Sequence, residues 1–315
     1  MISSPRCNTP TPSPCSPAVS ADRPSALTGR PRPTDTVADV QTLLADAARR
    51  LSAAGVGSPR VDAELLLGHV LGTSRGGLLT APGVSAADAA RFAEVLDRRA
   101  AREPLQHIVG RAPFRHLELA VGPGVFVPRP ETELLVDAVL PALGDRPGRL
   151  AVDLCAGSGA LGLAIADEIP AARVVLVERS PAALGWLERN AAAAPNVEIV
   201  VGDVRDEHLL SGLAGQVDAV VSNPPYVRSA AAVDPEVRAD PADAVFAGAE
   251  GLDLMPSVGS RAATLLRPGG LLALEHDDTQ GESVPALLAA DGRWRDIADH
   301  RDLAGRPRYT VAFRR

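Results

Sequence analysis

The chain has 315 residues, 46% of them hydrophobic and only 3% aromatic, with a net charge of -7 and a pI of about 5.4. That length accommodates two domains of ordinary size around cores of mostly Leu, Val and Ala, and an acidic chain without a basic stripe points to a protein or small-molecule substrate rather than nucleic acid. All 32 basic residues are arginine, which excludes a Walker-type phosphate lysine, a kinase lysine and a lysine Schiff base.

Residues 1–36, opening "MISSPRCNTPTPSPCSP", are rich in Pro, Ser and Thr and poor in apolar residues. They read as a disordered extension. The stretch lacks the apolar region of a secretory signal, and its eight prolines would spoil the amphipathic helix of a transit peptide. Two of the three cysteines, Cys7 and Cys15, lie here and the third is Cys155, so no disulfide framework is expected. No apolar run approaches the roughly 20 residues of a membrane span, and a reducing cytoplasm is the expected compartment. Deleting residues 1–35 is expected to leave folding and activity nearly intact, because nothing in them has an apolar face to bury. A large drop in melting temperature on truncation would count against this.

From residue 37 the pattern turns helical. "VADVQTLLADAARRLSAAG" sets Val37, Val40, Leu43, Leu44 and Leu51 on one face, with Gly55 as a stop. "PRVDAELLLGHVLG" and "SAADAARFAEVLDRRAARE" repeat the style, so 37–118 reads as a small domain of short antiparallel helices. "LELAVGPGVFVPRPETELLVDAVLPAL" then reads as a short hairpin leading into a helix. Strands and helices alternate after it: "RLAVDLCAGSGALGLAIADEI", "ARVVLVERSPAALGWLERNAAAA", the strands "NVEIVVGDV" and "VDAVVSNPPYV", the helix "GLDLMPSVGSRAATLL", the strand "GGLLALEH" and a C-terminal edge strand "RYTVAFRR". Near-continuous Val, Leu and Ile in strands that alternate with helices predicts an α/β domain, a parallel sheet covered on both faces.

Within it, Gly157-x-Gly159-x-x-Gly162 follows a strand and opens a helix, and Glu178 ends the next strand. That is the arrangement in which backbone approaches a nucleoside ligand and an acid holds its ribose hydroxyls. Asp153, four residues before Gly157, suits a ligand that is cationic there, not a pyrophosphate. Asp203, at the end of the third strand, is placed to accept from an adenine amino group. Acids at three successive strand ends match S-adenosylmethionine better than NAD. The fourth strand ends on Asn223-Pro224-Pro225-Tyr226. Two prolines fix two φ angles and withdraw two donors, leaving a stiff corner. In a doubly wound sheet this corner and the glycine loop end neighbouring strands at the switch point.

Such a corner suits methylation of a planar nitrogen, whose delocalised lone pair makes it a poor nucleophile. The Asn223 side-chain oxygen and the Pro224 carbonyl supply two acceptors for its two N–H groups, and Tyr226 is expected to pack on its flat face. DNA adenine, RNA guanine and protein glutamine all remain open as targets at this point. A donor-binding adaptor without catalysis is disfavoured by the intact corner, and an NAD oxidoreductase by Asp153.

More of the chain bears on the target. "EPLQHIVGRAPF" (103–114), "FVPRPETELLVD" (126–137), "DPADAVFAGAEGLD" (240–253) and "LALEHDDTQGESV" (272–284) together resemble the release-factor glutamine methyltransferase family, with Pro-Arg-Pro-Glu-Thr-Glu the most specific mark. The resemblance covers residues 37–315. It implies a class I methyltransferase fold, a Rossmann-like doubly wound seven-stranded sheet over 119–315, preceded by an all-helical substrate-recognition domain over 37–118. It implies N5-methylation of the glutamine in the Gly-Gly-Gln motif of class 1 peptide chain release factors, tuning translation termination. S-adenosyl-L-methionine would be the donor, with no metal, no membrane and no direct nucleic-acid contact, in a cytoplasmic monomer. The donor would rest on Asp153, Cys155, Ala156, Gly157, Ser158, Gly159, Glu178, Asp203, Val204 and Asn223. The glutamine amide would rest on Asn223, Pro224, Pro225 and Tyr226, with Asn223 and Pro224 catalytic. The chain departs from the family pattern at Cys155, where glycine is usual, at Glu178, commonly aspartate, and at His107, commonly tyrosine. Cys155 reads as a small buried filler, and His276, beside Asp277 and Asp278, as a satisfied strand-end histidine rather than a metal ligand.

Overall fold

A computed structural model describes residues 36–144 and 147–315; the proline-rich extension predicted over 1–36 lies outside the described residues but for Thr36. The first described elements are β1 (Thr36–Ala38), α1 (Val40–Ala53), α2 (Pro59–Leu71), β2 (Val84–Ser85), α3 (Ala86–Ala100) and α4 (Leu105–Val109). Helix α1 starts later than the apolar spacing predicts. The Asp39 side chain accepts from the Thr42 N–H at 3.0 Å and caps the helix, so Val37 falls in β1, which pairs with β2. Leu44, Leu51, Leu66, Leu67, Phe92 and Leu96 bury one another as the core of this helical layer.

The layer is tied to the rest of the chain through buried charge. Arg99, at the end of α3, donates through Nε to Asp62 and through Nη2 to Glu236, both at 2.7 Å. Arg102 donates to the same Glu236 at 2.9 Å and to Asp234 at 2.6 Å. Asp234 and Glu236 lie in the segment that follows the Asn223 corner.

A hairpin, β3 (Arg111–Phe114) and β4 (Leu117–Ala120), comes next. Its turn holds Arg115 at φ 50, and the domain boundary expected at 118/119 falls inside β4. Then follow α5 (Glu133–Leu143), β5 (Leu150–Leu154), α6 (Ala160–Glu168), β6 (Arg173–Glu178), α7 (Pro181–Ala191), β7 (Val197–Val201), β8 (Val217–Ser222), α8 (Ala242–Val245), α9 (Met255–Leu265), β9 (Leu266–Glu275), α10 (Ser283–Asp291), β10 (Trp294–Arg301) and β11 (Pro307–Arg314).

The sheet has seven strands in the order β10-β11-β9-β8-β5-β6-β7. The run from β9 to β7 is parallel, and every residue of β5 and β8 is buried, as strands covered on both faces require. Leu135, Val139, Leu161 and Ile165 cover one face, and Val258, Ala262, Leu265 and Leu288 the other. The C-terminal strand is not the edge that the sequence predicts. It inserts antiparallel between β9 and β10, burying Thr310, Val311 and Ala312. The edge on that side is β10, where Arg295, Asp296, His300 and Arg301 leave no apolar run to read; their exposure on an outer strand makes that tolerable.

Candidate active site

Strands β5 and β8 are parallel neighbours, with Asp153 opposite Val221 and Leu154 opposite Ser222. The glycine loop and the Asn223 corner therefore leave the sheet side by side at its carboxyl end. Between them opens a cleft of about 1000 Å³ counting its mouth, within the size range of ligand sites.

The loop after β5 reverses sharply: Cys155, Gly157 and Gly159 have φ of 67, 57 and 88. A Cβ on Gly157 would meet only open space, and one on Gly162 would lie 2.0 Å from Leu176 and 3.2 Å from the Asp153 Cβ. The first glycine thus leaves room at the cleft, and the last lets α6 press onto the sheet. Cys155 is the one loop residue with a side chain in left-handed backbone, which accounts for glycine being usual there. The conformation costs a non-glycine residue about 1–2 kcal/mol. Desolvation by its surroundings, with the Glu178 and Asp153 charges, pushes its thiol up to about 12, so it stays protonated at neutral pH; it is half-buried and lines the cleft.

Asp153 is 1% exposed. Its Oδ2 accepts from the Gly162 N–H at 3.0 Å, whereas Oδ1 is buried without a partner among the described residues; the residue borders the cleft. Burial pushes this carboxyl up to about 8, partly opposed by the Gly162 N–H and assisted by the Glu178 charge. An acceptor buried without a donor is costly.

Glu178 lines the cleft and also organises it. Oε2 accepts from the Gly157 N–H at 2.8 Å, and Oε1 from the N–H groups of Arg179 and Ser180 at 2.8 and 2.7 Å. The carboxylate thereby pins the glycine loop to the start of α7, a role that strand-end position alone does not reveal. Asp203 accepts from the Arg205 backbone and guanidinium, whose hydrogen bonds hold its carboxyl down at about 2. It is an ionised acceptor at the rim. Ala156, Ser158 and the buried Val204 line the same cleft.

Of the corner, Asn223 and Pro225 face the cleft. Pro224 is buried and is not among the residues lining the cleft; its carbonyl lies beyond the end of β8 and so outside the ladder. The Asn223 Nδ2 donates to Thr132 Oγ1 at 3.1 Å, which turns Oδ1 the other way. Tyr226 corrects the sequence expectation. It does not line the cleft; its ring packs with the core beneath the sheet and its hydroxyl donates to Glu275 at 3.0 Å. Burial and the Glu275 charge raise its pKa well above the usual phenol range. A phenol that finds a buried carboxylate has no reason to stay at the surface, and that carboxylate stands 49 residues away in sequence.

Two walls of the cleft have no precursor in periodicity. One is the turn Pro130–Thr132 with Phe126 and Pro128 before it; the other is Pro241, Asp243 and Ala244. They are clasped together by Asp240, whose side chain is 0% exposed and accepts from Arg129 at 2.6 Å and the Val127 N–H at 3.2 Å. Arg129 also stacks 5.0 Å over the Phe126 ring. The Pro-Arg-Pro and Asp-Pro-Ala-Asp stretches are the signal that could have located both walls. Arg179 adds a second tie, reaching Asp203 at 3.5 Å and Asp243 at 3.2 Å.

His276 is fully buried, with one ring nitrogen 3.0 Å from the Asp277 carbonyl and the other 3.1 Å from Thr310 Oγ1. Both nitrogens are occupied, as expected of a structural histidine. Burial lowers the pKa of His107, which sits against the Val125 carbonyl away from the loop and the corner. Among the described residues no group of three or more His, Cys, Asp or Glu could hold a metal ion, and no helix is long and apolar enough to cross a membrane.

Two family models match the chain: "PrmC N-terminal domain" over residues 42–110 and "Methyltransferase small domain" over 117–242. The chain is 50% identical over 274 residues to the release factor glutamine methyltransferase of Streptomyces coelicolor, covering 85% of this chain and 96% of that one. It is 46% identical over 276 residues to that of Mycolicibacterium smegmatis, covering 87% and 98%. It is 46% identical over 271 residues to that of Corynebacterium glutamicum, covering 85% and 96%.

Proposed function

This chain belongs to the release factor glutamine methyltransferase family, and from that premise we propose that it methylates N5 of the glutamine in the Gly-Gly-Gln motif of class 1 peptide chain release factors, with S-adenosyl-L-methionine as donor. The observation that carries the reading is the pairing of two features at one cleft: a glycine loop ending β5 and a proline-fixed amide ending the adjacent β8. The compartment that fits is the cytoplasm, where release factors act.

The cleft residues fit this donor. The unpartnered Asp153 Oδ1 is an acceptor waiting for a cation, which the α-ammonium of the donor supplies, and the open space before Gly157 admits a ligand against the backbone. Glu178 and Asp203 suit ribose hydroxyls and an adenine amino group. When bound, the donor supplies an electrophilic methyl on a sulfonium.

What the chain must do is present a nitrogen to it. An amide nitrogen is planar and weakly nucleophilic. Asn223 Oδ1, held outward because Nδ2 is committed to Thr132, accepts one N–H of the glutamine; the Pro224 carbonyl accepts the other. Two fixed acceptors align the nitrogen lone pair and favour the charge that develops on it, without reorganisation at the moment of reaction. The methylated nitrogen is strongly acidic and loses its proton to water. Positioning of this kind is worth up to ~7–11 kcal/mol. Incubation with labelled donor and a purified release factor, followed by peptide mass mapping, tests the assignment. Label elsewhere than the Gly-Gly-Gln glutamine would overturn it.

Donor affinity should depend on pH. In the free protein Asp153 is neutral below about 8, with Glu178 and the protonated Cys155 thiol as its titratable neighbours, yet the ammonium calls for the carboxylate. Binding therefore releases a proton. The dissociation constant should fall about tenfold from pH 6 to 7 and rise again once the ligand's own amine, with a pKa of about 7.7–8.0, is deprotonated. Calorimetry in buffers of different ionisation enthalpy should report the released proton, and Asp153→Asn should flatten the rising limb. A pH-independent affinity in the parent protein would refute the assignment.

A further inference from the structure

The prolines that stiffen the corner also deprive it of anchorage. Pro224 and Pro225 have no N–H to give, and β8 ends at Ser222. The near end is held by Asn223 itself, through Thr132. The far end is held at Tyr226, whose carbonyl accepts from Gln280 Nε2 at 3.1 Å. Gln280 lies in the turn after β9 and is 4% exposed. Its Nε2 also donates to the Glu250 carbonyl at 3.0 Å, and its Oε1 accepts from the Asp277 N–H at 2.9 Å. Two carbonyls on one side and an N–H on the other leave the amide one orientation. Gly251 completes the arrangement. Its φ is 72, and a Cβ there would lie 2.1 Å from the Tyr226 carbonyl oxygen and 2.8 Å from Gln280 Nε2. One residue beyond Tyr226, the Val227 N–H donates to the Val245 carbonyl and the Ala247 N–H to the Val227 carbonyl, both at 2.9 Å. The exit of the corner is thereby joined to α8, beside the cleft wall formed by Pro241, Asp243 and Ala244.

We infer that Gln280 is a positioning residue for methyl transfer, its amide locking the exit of the corner and so setting where Asn223 Oδ1 and the Pro224 carbonyl stand relative to the donor. The hydroxyl of Tyr226 is tethered to Glu275, but rotation about the side-chain bonds leaves the backbone some freedom. The bond to the carbonyl removes it. Two acceptors that must meet two N–H groups of one nitrogen tolerate little error, since a shift of ~1 Å can cost about 100-fold in rate. Gln280 does not line the cleft and shares no bond with the glycine loop, Glu178 or Asp203. Its loss should therefore show in the transfer step and spare donor binding. This inference rests on the corner being the acceptor of the glutamine N–H groups, as proposed above.

The test compares Gln280→Met, Gln280→Glu, Asn223→Ala and the double variant Gln280→Met with Asn223→Ala in the full chain. Single-turnover transfer to a purified release factor is measured at saturating donor, and donor affinity by calorimetry. Gln280→Met keeps the volume and strips the amide. Gln280→Glu keeps the shape and turns a carboxylate oxygen toward two carbonyls. Both should transfer roughly 10–100-fold more slowly than the parent, with the donor dissociation constant within about threefold. Because Gln280 acts through the corner, the double variant should fall short of the product of the two single losses by about fivefold or more. Losses that multiply in full, or a donor affinity that falls with the rate, would make Gln280 an ordinary structural residue and overturn the inference. Parent-like transfer by both Gln280 variants while Asn223→Ala is inactive would overturn it and leave the proposed function standing. Parent-like transfer by Asn223→Ala would overturn both. Should the Gln280 variants fail to fold, Gly251→Ala decides: it presses a methyl against the Tyr226 carbonyl with Gln280 in place, and parent-like transfer there would overturn the inference. In the parent protein, the Gln280 side-chain NH2 should exchange at least ~100-fold more slowly than an exposed glutamine amide; exchange at the exposed rate would overturn it without any variant.

Discussion

Asn223→Ala is expected to lower single-turnover methyl transfer by at least ~10²–10³-fold, the usual loss when one preorganised polar contact to a transition state is removed. The loss should exceed that range, because this contact both orients the glutamine nitrogen and supports its developing charge. The fold and most of the donor binding should survive. Asn223 follows the last residue of β8 and precedes two prolines that hold the chain without help from the side chain. Asn223→Asp is the sharper variant. An acceptor oxygen stays in place, and the Thr132 hydroxyl can turn to the new carboxylate, so transfer should persist at an intermediate rate. The added charge beside a sulfonium tightens the ground state and gives no help in the transition state. Transfer by Asn223→Ala at the parent rate would make the corner a structural turn.

Glu178→Ala should raise the donor dissociation constant by about 100-fold while lowering the rate at saturating donor less than tenfold. Ribose lies remote from the methyl, so contacts to it act equally in ground and transition states. The structure adds a second reason for the large binding effect. The carboxylate satisfies three backbone N–H groups, those of Gly157, Arg179 and Ser180. Bonds to a charged acceptor contribute ~1.5–3 kcal/mol each, and their loss would release the loop that the donor needs in one shape. Calorimetry gives the affinity and thermal melting gives the loop's share of the stability. An unchanged dissociation constant would sink the assignment.

Much of this site was legible because its parts are local. Gly157, Gly159 and Gly162 declare a strand-to-helix turn within a few residues, the two prolines fix the corner unaided, and unbroken apolar strands announce a sheet buried on both faces. The adjacency of β5 and β8 followed from the doubly wound order. What stayed hidden depends on pairs brought together only by the fold. Thr132 reaches Asn223 across 91 residues, and Arg129 reaches Asp240 across 111. No periodicity encodes such contacts, although the stretches containing them stood out as family marks. Tyr226 stands apart from the cleft for the same reason, since the partner of its hydroxyl, Glu275, lies 49 residues away. The sequence also hid β10, where an outer strand needs no apolar stripe, and it misassigned β11 as the edge.

The arginine joint between the helical layer and the segment after the corner responds to ionic strength differently from the other ion pairs. Arg99 and Glu236, which meet across the joint, have side chains 4% and 27% exposed, whereas the pair Arg49–Asp46 is 74% and 59% exposed. Screening shortens from ~10 Å at 0.1 M salt to ~3 Å at 1 M, and it acts through solvent. Concentrated salt therefore dismantles the outer pairs and leaves the joint closed. A rise in salt that weakens capture of a charged protein substrate should do so at the surface, while the helical layer keeps its register against the wall that carries Asp240 and Asp243.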